Sequence, residues 1–291
     1  MPNTLIAQVG TGIFPYNQFS ESHGIHVGLH GEIYRDDRDE ISPLDYIRDL
    51  YLKKGKLFAA GLNGSFIVFL HDSTRQCTYL VTDHVGSRPV VFYQMKSGAI
   101  IFAPEVKPIS DLKGEVFRAD LMAIADMLTS GNLTGARTFV KDVNRMGPAE
   151  VLEVGVEGLK RYRYWEFELN EDPAERAISF YQQGLAERLQ KAVDRRLRGI
   201  NEGNYAIFLS GGKDSRGILG CAVQNGHKVQ TVAYGFSREK RSDASTSAQL
   251  SRMLDVPHLY VQCDLDQYVP FEESSAYLYN GMRGPSLEWP M

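Results

Sequence analysis

Two rhythms of hydrophobic and polar residues divide this chain. From about residue 25 to 165, short runs rich in β-branched and aromatic residues alternate with turn residues. Gly64-Ser65-Phe66-Ile67-Val68-Phe69-Leu70, Cys77-Thr78-Tyr79-Leu80-Val81, Pro89-Val90-Val91-Phe92-Tyr93 and Ala99-Ile100-Ile101-Phe102-Ala103 read as strands, separated by turn signals such as Asp72-Ser73 and Lys96-Ser97-Gly98. The spacing of Tyr46, Ile47, Leu50 and Tyr51 predicts a helix over Pro43 to Lys54, and Leu121 to Leu128 predicts a second. The pattern predicts an α+β region dominated by antiparallel sheet.

Around Glu168-Leu169-Asn170-Glu171-Asp172-Pro173 an acidic, proline-containing stretch reads as a linker between domains, placed over 167–177. Beyond it Ile178, Tyr181, Leu185, Leu189, Val193 and Leu197 recur at three- and four-residue spacing, the apolar stripe of a long amphipathic helix. Strands and helices then alternate. Tyr205 to Leu209 reads as a buried strand, Ser215 to Asn225 as a helix and Val229 to Tyr234 as a strand. Asp243 to Leu254 reads as a helix capped by Asp243, and His258 to Gln262 as a strand. This order argues for an α/β domain, a parallel sheet with right-handed crossovers, over 178–291, after a first domain over 1–166. Only three parallel strands can be counted after Gly203, too few to cover both faces of a doubly wound sheet, so this domain is expected to be C-terminally incomplete.

Composition narrows the class. Hydrophobic residues make up 43% and charged residues 23%, and no apolar run reaches the roughly 18 residues of a membrane-spanning helix. The start Met1-Pro2-Asn3-Thr4 has no basic stretch leading into an apolar region, so a cytoplasmic location without membrane attachment is expected. Three cysteines, Cys77, Cys221 and Cys263, are widely spaced and suit reduced thiols. A net charge of -4 without long blocks of one sign gives no footprint for nucleic acid. Arg195-Arg196-Leu197-Arg198 closes a predicted helix, where cations complement the dipole.

The chemistry concentrates at Ser210-Gly211-Gly212-Lys213-Asp214-Ser215, between a predicted strand and a predicted helix. Ligands of open α/β sheets sit at the carboxyl ends of strands. Gly211 and Gly212 let an anion approach the main chain, and successive N–H groups with the positive end of the following helix would hold it. Ser210 and Ser215 add hydroxyl donors. Asp214 fits beside a polyanion if a divalent cation lies between them, and Mg2+ bridges carboxylates and phosphate oxygens in this way. The GxxxxGK[ST] spacing of a Walker loop is absent.

The Ser-Gly-Gly-x-Asp-Ser pattern resembles that of the PP-loop ATP pyrophosphatases. Gly31-Glu32-Ile33-Tyr34, Leu62-Asn63-Gly64-Ser65-Phe66, Asp83-His84-Val85-Gly86-Ser87-Arg88-Pro89, Phe102-Ala103-Pro104-Glu105-Val106-Lys107 and Tyr164-Trp165 look like successive landmarks of asparagine synthetase. The resemblance runs from about residue 25 to the C-terminus and implies an Ntn-type amidotransferase sandwich joined to a PP-loop domain. It implies that Leu209 and Tyr234 flank the adenosine of ATP with backbone contacts, that Ser210, Gly211, Gly212 and Ser215 hold the pyrophosphate, and that Asp214 binds Mg2+. Tyr234 also reads as a core aromatic. Lys213 stands at a variable position, reaching a phosphate or solvated.

Glutamine-using members of that family carry a cysteine nucleophile behind the initiating methionine. Here position 2 is Pro2, no cysteine precedes Cys77, and His30-Gly31-Glu32 stands where the family has Asn-Gly-Glu, so the glutaminase half is expected to be inactive. Asp83-His84 and Lys107 are expected to maintain the sandwich. His23, His26 and His30 lie close in sequence, but neither a nearby cysteine nor a zinc-type spacing accompanies them. The family's second Ser-Gly-rich signature with its aspartate, and its later catalytic lysine, do not occur before Met291. On this expectation either the chain is a fragment or a separate polypeptide completes the domain.

The resemblance implies an AMP-forming carbon–nitrogen ligase that adenylates aspartate or an analogous carboxylate for attack by ammonia or an amine. Intramolecular amide formation, as in β-lactam synthetases and lasso-peptide cyclases, belongs to the same reading, and a homodimer is compatible with it. A nucleotide-binding protein that does not turn over is the alternative. A tRNA-modifying PP-loop enzyme would need a basic surface that the composition does not supply.

Overall fold

The computed structural model describes residues 17–35, 41–112, 114, 116–169, 176–198, 205–235 and 243–262. Pro2, Cys263, residues 170–175 of the expected linker and the stretch 263–291 lie outside them. The chain divides after Leu169 into two compact units. Among the described residues no helix is long and apolar enough to cross a membrane.

The first unit opens with the hairpin β1 (Asn17–Ser22) and β2 (Ile25–Ile33), paired antiparallel. Its two-residue turn, His23 and Gly24, has φ of 55° and 73°, the left-handed pair that matches the twist of the flanking strands. His23 therefore serves the turn. Strands β3 (Gly64–Asp72), β4 (Cys77–Thr82), β8 (Glu150–Gly155) and β9 (Gly158–Arg163) complete a six-stranded antiparallel sheet in the order β1-β2-β3-β4-β8-β9. A second sheet, β6-β5-β7, is built from β5 (Val91–Gln94), β6 (Ile100–Ala103) and β7 (Asn144–Arg145).

Alternation along β3 sends its side chains into two cores. Phe66, Val68 and Leu70 join Val27, Leu29, Tyr79 and Val81 under a helical layer. That layer is α1 (Pro43–Lys54) and the 3-10 helix Gly55–Gly61, which contribute Ile47, Tyr51, Phe58 and Leu62. Ile67 and Phe69 face the other way, against Leu80, Phe92 and Met146 between the two sheets. A third core, Val91, Val106, Ile109 and Val143, lies on the far face of the second sheet beside the short α2 (Lys107–Ser110). The α+β architecture dominated by antiparallel sheet matches the expectation. Helix α1 starts where its cap is: the Ser42 hydroxyl accepts the Asp45 N–H at 3.1 Å, and Pro43 follows. Helix α3 (Leu121–Ser130) is capped alike by Asp120 and ended by left-handed Gly131.

The second unit holds α4 (Ile178–Leu197), β10 (Ala206–Phe208), α5 (Lys213–Gln224), β11 (Gln230–Gly235), α6 (Asp243–Met253) and β12 (His258–Gln262). Its three strands are parallel, in the order β10-β11-β12. Helix α6 begins at the expected Asp243, whose side chain is not among those described. Two expectations are corrected. Helix α5 starts at Lys213, two residues before Ser215, because Gly212 is its extended N-cap and Lys213 and Asp214 already turn. The apolar stripe of α4 is not buried along its length. Val193 and Leu197 join Leu219, Ala222 and Val229 in a core, but Ile178 and Leu185 remain 75% and 69% exposed. The described ties from α4 to the end of α5 and the loop after it, Gln190 to Asn225 at 2.9 Å and Asp194 to His227 at 3.0 Å, all sit in its C-terminal half.

Phe58 is fully buried and its ring meets Tyr51 and Tyr79 edge-on at 5.8 Å. Phe58→Ala should lower the stability of the first unit by about 3–5 kcal/mol in a denaturant titration followed by circular dichroism. A loss below about 1 kcal/mol would mean that this core can collapse around the deletion.

Candidate functional site

The hexapeptide 210–215 bridges β10 and α5 at the carboxyl end of the parallel sheet. Leu209, fully enclosed in the core of the second unit, closes the strand, and its N–H donates to Val232 O of the neighbouring β11 at 2.8 Å. That bond fixes where the chain leaves the sheet. Ser210 and Ser215 then lock the turn. Their hydroxyl oxygens lie 3.0 Å apart, the Ser210 N–H donates to Ser215 Oγ at 3.2 Å, and the Gly212 N–H donates to Ser210 Oγ at 3.2 Å. A Cβ on Gly212 would stand 3.1 Å from that same Ser210 Oγ, tighter than ordinary contact, so a larger residue would push on the clasp.

Helix α5 presents its N-terminus to this turn, and Gly212, Lys213 and Asp214 are exposed there. The first N–H groups of a helix have no carbonyl partner within it and carry the positive end of its dipole. A phosphate-sized anion set against the turn would meet main-chain donors and two hydroxyls. Asp214 offers a solvent-facing carboxylate in the first helical turn. With the serine hydroxyls and the oxygens of a bound phosphate it would form an all-oxygen donor set, of the kind that suits Mg2+. Among the described residues no three His, Cys, Asp or Glu side chains group as a metal cluster.

The structure brings Leu209, Ser210, Gly211, Gly212, Asp214 and Ser215 together in one strand–turn–helix unit. Tyr234 stands one strand away near the carboxyl end of β11. It is half-buried and takes no part in the core beneath α5. Its ring meets Phe208 edge-on with centroids 6.0 Å apart. Phe208 was not singled out by its sequence, yet it is 67% exposed on the sheet face away from α5 and shares that face with Leu259 and Val261. Strand alternation carries the signal: Ile207 and Leu209 point to the core, so Phe208 points away. Arg216 likewise carries no sequence signal of its own. Its Nε donates to Gly212 O at 3.2 Å.

In the first unit the landmark Asp83 is a structural tie. Its carboxylate accepts the N–H groups of Phe66, Val85 and Ser87 at 3.0–3.2 Å and the Ser87 hydroxyl at 2.6 Å, fully enclosed. His84 meets the rings of Tyr164 and Trp165 edge-on. His30, in place of the family's asparagine, accepts from Arg88 Nη1 at 3.3 Å through Nε2. Burial, then the Arg88 charge, holds its imidazole below the ordinary range, so it is neutral near pH 7. Gly31 beside it has φ of 115°, and a Cβ there would fall 2.1 Å from Ser65 O. His26 faces His71 across the β2–β3 ladder with ring centroids 5.7 Å apart, and His30 pairs with Ile67 instead.

Comparison with known proteins fits this division of the chain. The glutamine amidotransferase domain family matches residues 42–165 and the asparagine synthase family matches residues 184–281. Asparagine synthetase [glutamine-hydrolyzing] 3 of Bacillus subtilis (strain 168) is 30% identical over 171 residues, covering 57% of this chain and 26% of the relative. Asparagine synthetase [glutamine-hydrolyzing] 2 of the same organism is 23% identical over 266 residues, 88% of this chain and 34% of the relative. The chain thus spans about a quarter to a third of the length of these relatives. A solved glutamine phosphoribosylpyrophosphate amidotransferase from B. subtilis aligns at 12% identity with a TM-score of 0.33, over 86% of this chain and 73% of that one, an overlap too loose to carry an argument. Two family matches in succession, an amidotransferase domain and then an asparagine synthase domain, with like-named relatives aligned along both, make this chain similar to part of the asparagine synthetases.

Proposed function

We propose that the second unit binds ATP at the 210–215 turn for an AMP-forming carbon–nitrogen ligation. The observation that supports this most is the clasp of Ser210 and Ser215 across a turn that opens α5, inside the region matched by the asparagine synthase family. In the proposed reaction an oxygen of a carboxylate, aspartate or an analogue, attacks the α-phosphorus of ATP. The bond from that phosphorus to the bridging oxygen breaks, and pyrophosphate leaves with the electron pair. Ammonia or an amine then attacks the acyl carbon of the adenylate, AMP departs, and the nitrogen gives up a proton to solvent.

The chain's own part is to receive the departing charge. Gly211 and Gly212 would let the β-phosphate approach the main chain, where the N–H groups of the first turn of α5, with the hydroxyls of Ser210 and Ser215, would receive its growing negative charge, and such fixed donors cost no reorganisation during the step. Leu209 and Tyr234 flank the adenosine through their backbone. Asp214 would hold Mg2+, which would supply charge neutralisation at the phosphates. Where carboxylate and amine belong to one molecule the same steps give an intramolecular amide. On this reading the residues that hold the carboxylate come from a separate polypeptide that completes the domain, and a homodimer is compatible with it.

Glutamine hydrolysis is not part of this reading. No cysteine occurs among residues 1–76, and His30 lies against Arg88, leaving no side-chain amide to donate where the family's asparagine does. Purified protein should release no glutamate from glutamine, and release above a protein-free blank would contradict this.

The test of the ligase reading is pyrophosphate release from ATP and Mg2+ with aspartate and ammonia, for this chain alone and for a version extended by the missing portion of its relatives. Release that depends on the carboxylate is the expected result. Absence from both, with ATP still bound, would leave a nucleotide-binding protein without turnover. Asp214→Asn removes the metal-binding charge but can keep the helical turn. It should weaken ATP binding at least about tenfold in Mg2+ while leaving the melting temperature unchanged. Undiminished affinity would remove Asp214 from the metal site.

A further inference from the structure

The charges on the opening turn of α5 run against the usual preference. Helix N-termini favour acidic side chains and repel cations, because the dipole is positive there. The first four residues here are Lys213, Asp214, Ser215 and Arg216, two cations against one carboxylate. Both cations are exposed, and neither forms an ion pair with a described residue. A cation kept at the positive end of a helix is stabilised when an anion is seated against it.

Arg216 differs from Lys213 in being held. Its Nε donates to Gly212 O at 3.2 Å, while its own N–H reaches the same carbonyl at only 3.5 Å. The guanidinium is thus tied to the turn that would cradle the phosphates, and Nη1 and Nη2 make no hydrogen bond among the described residues. Two parallel donors on a planar, permanently charged group suit a pair of phosphate oxygens, whereas an ammonium acts as a point charge on a flexible stem.

Resting on the ATP-binding reading, we propose that Arg216 is a binding residue for the pyrophosphate portion of ATP, with Nε anchored on Gly212 O and both Nη groups donating to β- and γ-phosphate oxygens. It would hold the pyrophosphate as that group leaves and would confer a preference for ligands that carry it. AMP, lacking both of those phosphates, would not feel the residue.

Calorimetric titration of the wild-type chain, Arg216→Ala and Arg216→Lys with inorganic pyrophosphate, ATP and AMP, each in Mg2+, tests this. In Arg216→Ala the dissociation constants for pyrophosphate and ATP should rise about tenfold or more, as for loss of a charge-assisted bidentate contact. Arg216→Lys should recover part of that loss, and AMP affinity and the melting temperature should stay at wild-type values. Unchanged pyrophosphate and ATP affinity in Arg216→Ala would overturn the proposal. So would a parallel loss of AMP affinity, which marks a merely structural role. A wild-type chain that binds none of the three would instead defeat the ATP-binding reading, and the role of Arg216 with it.

Discussion

The opening N–H groups of α5 have no carbonyl within the helix to bond, and the second unit is arranged around that fact. Strand β10 delivers the chain to the helix through a turn of only four residues, 209–212. Leu209 is tied to β11 and buried beneath α5, so the turn cannot slide along the strand. The two serine hydroxyls then hold the turn from both ends. What remains outward is a positive helix end, two glycines, a carboxylate and two cations, a surface whose electrostatics are completed by a polyanion with a divalent cation. The ATP-binding reading follows from that arrangement. The likeness to asparagine synthetases supports the chemistry proposed for it.

In the first unit Asp83 and Gly31 serve the packing of the sheet. Asp83, buried and saturated with main-chain donors, joins the turn after β4 to β3, and Ala149 N–H reaches back to Asp83 O at 2.8 Å, bringing the start of β8 alongside. A carboxylate so enclosed is costly to bury and is kept only where each oxygen is satisfied. Gly31 persists because β2 and β3 approach too closely there for any Cβ. These landmarks can be retained for packing alone, and His30 beside Gly31 lies against Arg88.

Much of this was legible in the sequence, because local rules agree with the fold. Helix α1 lies over Pro43–Lys54 as its period predicts, and β12 over His258–Gln262 as its apolar run predicts. The hairpin of β8 and β9 was less legible. Val151 and Leu152 face opposite cores, and β9 is mostly exposed, so neither strand shows a clean alternation. The pairing of β4 with β8 joins residues more than 60 apart, which no local pattern encodes. The stripe on α4 was legible as a helix but not as a surface: period reveals which side chains share a face and not what covers it. At the site, the glycines and serines announced themselves by type. Arg216 and Phe208 did not, since an arginine in a helix and a phenylalanine in a strand are commonplace until the neighbouring turn gives them a position.

The central claim is that the main chain of the 210–215 turn holds the phosphates of ATP. It is tested most directly by amide NMR of the isotopically labelled chain titrated with ATP and Mg2+. The account predicts that the largest shifts fall on the N–H groups of Gly211, Gly212, Lys213 and Asp214, and that inorganic pyrophosphate reproduces them. Shifts confined to other parts of the chain, with these four amides unmoved at saturation, would contradict it.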